Sequence, residues 1–165
     1  MSGSVDAWVG LGANLETPEQ QIRQALKALD TLPDTRLACC SSLYRTPPMG
    51  PPGQPDYINA VAGLCTGLDP EALLSALLAL EARLGRRRNG ERWGPRVIDL
   101  DLLCYGDCRR DSEFLRLPHP GIAQRAFVLL PLAELAPDLP IPGQGRVDQL
   151  LAAVDIRDIE VIEQA

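Results

Sequence analysis

The run Arg92-Trp93-Gly94-Pro95-Arg96-Val97-Ile98-Asp99-Leu100-Asp101-Leu102 sets two cations and an indole directly ahead of a stretch in which aspartates alternate with aliphatics. Successive side chains of an extended strand point to opposite faces, so Asp99 and Asp101 share one face and Ile98, Leu100 and Leu102 the other. Two carboxylates side by side repel each other. A divalent cation between them removes that repulsion, and hard oxygen ligands of this kind suit Mg²⁺ better than zinc. The arginines supply the complementary half of a nucleotide site, because a planar guanidinium fork matches phosphate oxygens.

Charge is distributed to the same effect. The chain carries a net −6, yet Arg83, Arg86, Arg87, Arg88, Arg92 and Arg96 with the single acid Glu91 make residues 83–96 about +5 and leave −11 elsewhere. Lys27 is the only lysine. An acidic protein with one dense arginine segment fits a small phosphorylated ligand better than long nucleic acid, whose backbone attracts an extended basic surface. The pattern G-x-x-x-x-G-K-[ST] is absent from the chain, so phosphate recognition falls to arginine, metal and backbone amides. For Arg83 and Arg87 a solvated charge run is the simpler reading.

These groups need a scaffold, and 165 residues suffice for one domain with a real core. No apolar run resembles a secretory leader or approaches the roughly 20 residues that cross a bilayer. A soluble cytoplasmic protein is expected. Cys39, Cys40, Cys65, Cys104 and Cys108 are odd in number, form no C-x-x-C pair and mostly sit in apolar segments, which fits reduced thiols. A zinc site from Cys104, Cys108 and His119 would need a spacing that matches no standard pattern.

Val5 to Gly12 reads as a first strand, with Gly12-Ala13-Asn14-Leu15 as its turn. Thr17 is the expected N-cap of a first helix, with Pro18 at its first position and Gln20 completing a capping box; it should end near Leu32-Pro33. Leu37 to Arg45 and Tyr57 to Thr66 read as strands, separated by a proline-rich loop too long for a tight turn. Asp69 caps a second helix in which Leu73, Leu77, Leu80 and Leu84 recur at helical spacing, Leu74 and Leu78 widen that face, and Gly85 is the expected end. The aspartate strand follows, from Val97 to about Tyr105. The order strand, helix, strand, strand, helix, strand is that of the ferredoxin-like unit, an α+β fold. Beyond it the sequence suggests a rigid turn at Leu117-Pro118-His119-Pro120, a helix over Ala126 to Ala136 interrupted by Pro131, a helix over Val147 to Val154, and a terminal strand over Ile156 to Ile162.

Several of these segments have a family likeness. Arg88-Asn89-x-x-Arg92-Trp93-Gly94-Pro95-Arg96-x-Ile98-Asp99-Leu100-Asp101, Tyr44-Arg45-Thr46-Pro47-Pro48 and Gln54-Pro55-Asp56-Tyr57-x-Asn59-Ala60 resemble the 6-hydroxymethyl-7,8-dihydropterin pyrophosphokinases of folate biosynthesis. So do Gly12-x-Asn14-Leu15, Leu117-Pro118-His119-Pro120 and Arg125-x-Phe127-Val128-Leu129-x-Pro131-Leu132. The likeness keeps its order from the first strand to about Pro137. It implies a ferredoxin-like βαββαβ core in a three-layer αβα sandwich with C-terminal additions, and an enzyme that transfers the pyrophosphate of ATP to the pterin hydroxymethyl group, releasing AMP.

By that resemblance, Asp99 and Asp101 hold two Mg²⁺ ions, and Arg86 and Arg96 are the catalytic arginines that position and stabilise the reacting groups. Arg88 and Trp93 match a mobile lid on the ATP side, His119 and Arg125 match triphosphate contacts, and Leu74 and Leu102 match the adenine pocket. Thr46, Met49, Tyr57, Asn59 and Phe127 match the pterin site, where stacking supplies affinity and an amide reads the edge of the ring. Glu81 is a weaker candidate for a site contact. Ala13 in place of the usual serine, and Gly121-Ile122-Ala123-Gln124 in place of charged residues, depart from the family pattern on the ATP side. The expected partners are ATP and a reduced pterin alcohol, with no nucleic acid, no membrane and a monomeric chain. The competing class is a non-catalytic RNA-recognition-like module of the same strand and helix order. Its sheet needs exposed stacking aromatics on adjacent central strands, where this chain has Cys39, Cys40, Val61 and Cys104.

Overall fold

The computed structural model describes residues 4–15, 17–47, 53, 55–86 and 98–163 of the chain. Strand β1 (Val5–Ala13) leads to helix α1 (Pro18–Leu29), then to β2 (Thr35–Cys40), β3 (Leu43–Thr46) and β4 (Tyr57–Thr66). Helix α2 (Pro70–Arg86) and strand β5 (Asp99–Tyr105) complete the first part. A short hairpin of β6 (Arg110–Asp111) and β7 (Arg116–Leu117) follows, then a 3₁₀ turn over Ile122–Gln124 and helix α3 (Ala126–Leu135). The chain ends with β8 (Pro140–Ile141), β9 (Gly145–Arg146), α4 (Val147–Ala152) and β10 (Glu160–Glu163).

The main sheet is antiparallel in the order β10-β3-β4-β1-β5, with β2 also paired to β4. Alternation along the strands divides the core in two. Ala7, Val9 and Leu11 of β1 join Leu100 and Leu102 of β5 in a cluster with Ile22, Ala25 and Leu29 of α1 and Leu73, Leu77 and Leu80 of α2. Trp8, from the other side of β1, packs on a second cluster of Val61, Leu103 and Cys104 with Ile122, Val128 and Leu132. Each fully buried leucine contributes roughly 1.5–3 kcal/mol, so the three buried leucines of α2 fix its roll on the sheet. Leu78 instead faces solvent, 43% exposed, so the apolar face of α2 is narrower than its sequence suggests.

The structure corrects several local expectations. Strand β1 takes in Gly12 as expected and runs one residue further, so Ala13 belongs to the strand and not to a turn. Thr17 occupies the N-cap position of α1, but with a left-handed backbone (φ 55°) and no side-chain cap, while Pro18 does open the helix. Asp69 caps α2 as expected, its Oδ1 accepting the Ala72 amide at 2.8 Å, and the helix runs one residue past Gly85.

The single strand expected over 37–45 is two strands, broken at Ser41-Ser42. Val61 N–H donates to Ser41 Oγ at 2.9 Å, so a side chain takes the place of a ladder carbonyl. Ser42 N–H is drawn away to the Glu134 carboxylate of α3 at 3.0 Å, which also accepts Ser42 Oγ–H at 2.9 Å and Tyr44 O–H at 2.5 Å. Serines that bond locally compete with the ladder, and here they bend the strand. Helix α3 continues through Pro131 without interruption. The terminal strand is shorter than expected and lies on β3 at the edge of the sheet, where Arg45 and Glu160 form an ion pair.

Candidate active site

Register places the chemistry on one face. Gly12 of central strand β1 lies opposite Asn59 of β4 on one side and Asp99 of β5 on the other, and Gly10 lies opposite Asp101. Tyr44 of β3 pairs with Asn59, and Thr46 with Tyr57. The amino end of α3 closes over this face. Between them is a cleft of about 430 Å³ lined by Thr46, Tyr57, Asn59, Asp99 and Asp101 with Arg125, Phe127, Gly10 and Gly12. Of the sequence-predicted residues, the cleft therefore joins the carboxylate pair, four of the five expected pterin-site residues, and Arg125.

The glycines are the floor. A Cβ at Gly12 would stand 3.1 Å from Asn59 Oδ1, and one at Gly10 would meet Leu103 at 3.5 Å and project into the cleft. Glycine inside a strand marks close approach of another group to the backbone. A pair of glycines two apart on a strand was the signal for this in the sequence, where Gly10 was read as strand and Gly12 as the strand end that opens a turn.

Asn59 and Thr46 are each 6% exposed, and Asn59 Nδ2 donates to Thr46 Oγ1 at 2.8 Å. That bond orients the amide so that Oδ1 faces the Gly12 side of the cleft as an acceptor. Asn14 Nδ2 donates to the Pro55 carbonyl at 3.4 Å, tying the end of β1 to the proline-rich loop. Phe127 and Tyr57 are both half-buried on the cleft wall. The guanidinium carbon of Arg125 sits 5.8 Å from the Phe127 ring centroid, within cation–π range.

His119 is pinned beside the aspartate strand, its amide donating to the Leu103 carbonyl at 2.9 Å. Burial lowers the pKa of its imidazole below the usual value; the Asp101 carboxylate opposes that shift and the Arg125 charge adds to it. Its Nδ1 accepts the Gly121 amide at 3.2 Å. The neutral ring is therefore the Nε2–H tautomer, a donor.

Glu81 is not on the cleft. Its carboxylate accepts the Leu100 amide at 2.6 Å, fastening α2 to the strand residue between the two aspartates. Leu102 is 3% exposed in the first core cluster, and Leu74 packs half-buried against the same cluster; neither lines the cleft. Met49, Arg88, Trp93 and Arg96 lie outside the described residues, as does the side chain of Arg86, whose backbone ends α2. Gln124 and Pro47 line the cleft as well, although in the sequence they figured only within longer segments and neither was given a site role.

The carboxylate pair suits a hard cation. Asp99 and Asp101 project from the same face of β5 into open cleft, and among the described residues no group of three or more His, Cys, Asp or Glu is placed to enclose a metal. Two carboxylates with the remaining positions left to water and ligand oxygens is how Mg²⁺ is held, whereas a closed protein cage is not.

Comparison with known proteins gives one family. The model for 7,8-dihydro-6-hydroxymethylpterin-pyrophosphokinase matches residues 8–137. A 2-amino-4-hydroxy-6-hydroxymethyldihydropteridine pyrophosphokinase of Pseudomonas aeruginosa is 48% identical over 153 residues, covering 93% of this chain and 94% of that protein. The Haemophilus influenzae protein of the same name is 44% identical, covering 89% of this chain and 91% of its own. Among solved structures, a Plasmodium falciparum HPPK-DHPS superposes with a TM-score of 0.72 at 14% identity, covering 92% of this chain. This chain spans 46% of that longer one, a likeness of fold alone.

Proposed function

The chain belongs to the 7,8-dihydro-6-hydroxymethylpterin-pyrophosphokinase family, and from that premise we propose how its cleft carries out the reaction. The enzyme transfers pyrophosphate from ATP to the hydroxymethyl group of 6-hydroxymethyl-7,8-dihydropterin, giving the pterin diphosphate and AMP, a step of folate biosynthesis. The observation that carries the mechanism is one cleft in which a buried amide, two aromatic rings, an arginine and two aspartates converge.

The pterin ring lies over Gly12, against Tyr57 and Phe127. A flat heterocycle needs a flat floor, which a strand without Cβ atoms provides. Asn59 Oδ1 accepts a ring N–H, oriented by Thr46. Asp99 and Asp101 would hold Mg²⁺, two ions as the resemblance implies, and when bound the metal would screen the charge of the phosphate chain. Arg125 and the Nε2–H of His119 bind triphosphate oxygens, aided by the positive amino end of α3. Because its Nδ1 is already engaged, His119 serves as a donor and not as a base.

The hydroxymethyl oxygen attacks the β-phosphorus. A new P–O bond forms, the bond from the β-phosphorus to the oxygen it shares with the α-phosphorus breaks, and AMP leaves with that electron pair. The hydroxyl proton is lost to solvent or a phosphate oxygen. Catalysis is alignment plus charge stabilisation, as expected for phosphoryl-type transfer. Arg86, Arg88, Trp93 and Arg96 complete the phosphate side, and Met49 the pterin side, on the strength of the motifs that carry them. Leu74 and Leu102 back the adenine end of the β5 edge.

The sheet order supports a ferredoxin-like βαββαβ core, with the strand broken at Ser41-Ser42 counted as one, in an αβα sandwich forming a single domain over 1–165. We further read the protein as cytoplasmic and monomeric; among the described residues no helix is long and apolar enough to cross a membrane. Mixing the protein with ATP, Mg²⁺ and the pterin alcohol and separating the nucleotides tests the reaction. AMP formed in equal amount to pterin diphosphate supports it; ADP, or no turnover, refutes it.

A further inference from the structure

Gly121 follows His119 and Pro120, and its backbone gives no reason for a glycine. Its φ of −94° and ψ of 4° are open to residues that carry a Cβ. The reason lies in the space beside it. A Cβ built there would stand 2.6 Å from Arg125 Nε, 3.0 Å from Cζ and 3.3 Å from Cδ. The Arg125 guanidinium thus rests against the bare Cα of residue 121 while its Cζ sits 5.8 Å from the Phe127 ring centroid. The root of the side chain is fixed as well, because the Arg125 carbonyl accepts the amides of Val128 and Leu129, both at 3.0 Å. An arginine held at its root and along its fork loses less freedom when it binds an anion.

We propose that Gly121 is a positioning residue for ATP: by carrying no side chain it lets the Arg125 guanidinium lie between residue 121 and the Phe127 ring, where the phosphate chain meets the pterin pocket. The inference rests on the reading that Arg125 binds triphosphate. A side chain at 121 moves the fork and leaves the turn intact, since the Gly121 amide keeps its bond to His119 Nδ1. Glycine is therefore retained for ligand binding at the expense of chain order, as alanine at a compatible φ restricts the unfolded chain more.

The test is a double-mutant cycle on the full chain: wild type, Gly121→Ala, Arg125→Ala and the double variant, each titrated with ATP and Mg²⁺ by calorimetry and melted without ligand. Gly121→Ala weakens ATP binding by about threefold to tenfold with a melting temperature equal to or above that of wild type. In the Gly121→Ala background, Arg125→Ala costs less than it does alone, the signature of two residues acting through one contact. Pterin binding measured without ATP changes less than ATP binding. Unchanged ATP affinity in Gly121→Ala, independent addition of the two effects, or a marked fall in melting temperature would overturn the inference and leave the reading of the cleft standing. Arg125→Ala binding ATP as wild type does would overturn both.

Discussion

Gly12→Ala is the sharpest perturbation of the pterin site because it adds a single methyl group at the floor. The new Cβ would stand 3.1 Å from Asn59 Oδ1, tighter than nine in ten real Cβ contacts, so the amide must give by a few tenths of an ångström. Asn59 cannot give freely. It is 6% exposed and its Nδ2 is held by Thr46 at 2.8 Å, so either that bond stretches or Oδ1 leaves its position as acceptor. One neutral hydrogen bond is worth about 0.5–1.5 kcal/mol net, which converts to a pterin affinity roughly twofold to tenfold weaker. The strand itself is not harmed, since alanine is favoured over glycine in a strand interior by roughly 0.5–1 kcal/mol. Fluorescence titration of the pterin, paired with chemical denaturation, separates the two effects. Weaker binding with undiminished stability is expected. Wild-type affinity, or a loss of stability with affinity unchanged, would refute the view that Gly12 is bare to seat a ligand beside Asn59.

Asp101→Asn keeps the shape of the side chain and removes the charge; turnover falls by about a hundredfold or more, and the rise in melting temperature that Mg²⁺ and ATP give the wild type shrinks, while the unliganded protein melts as before. Glu81→Ala removes a charge-assisted bond to the Leu100 amide and lowers unfolding free energy by about 1.5–3 kcal/mol, and turnover falls as well because the freed strand carries both aspartates; urea denaturation and a steady-state assay check the pair. Burial pushes the Cys104 thiol up from its ordinary range to about 12. The folded form thus holds this proton more tightly than the unfolded one, so the contribution is present below about pH 9 and is lost as pH rises through the folded value; at pH 8 a thiol reagent should leave Cys104 unlabelled until denaturant is added, as mass spectrometry would show.

The fold was legible where periodicity and punctuation agreed. Asp69-Pro70 opened α2, Pro18 opened α1, and the alternation of Asp99, Asp101 and their leucine neighbours marked both a strand and its two faces. The misses came from tertiary partners invisible along the chain. Nothing local says that Glu134, ninety-two residues on, will take the Ser42 amide and split a strand. Nor does an isolated Glu81 announce that its carboxylate will be spent on the backbone of Leu100. Pro131 looked like a helix breaker, yet α3 is held against the second core cluster through Val128 and Leu132 and continues past it.

The candidate site was legible by residue type more than by position. Carboxylates two apart and an amide in an apolar strand are costly unless used, so they stood out. Glycines on a strand were not costly: Gly10 passed as an ordinary strand residue and Gly12 as the start of a turn, and neither was read as floor. The Gly121-Gln124 segment, which departs from the family pattern, gained its meaning only once Arg125 was seen lying against residue 121.

The most direct test of the cleft is a crystal structure of the enzyme with Mg²⁺, the pterin alcohol and an ATP analogue carrying a methylene between its α- and β-phosphorus atoms. The pterin should lie over Gly12 between Asn59 and the rings of Tyr57 and Phe127, with metal-bound phosphate at Asp99 and Asp101 and a phosphate oxygen on Arg125. A pterin seated elsewhere, or a phosphate chain that leaves both aspartates uncontacted, would contradict the account.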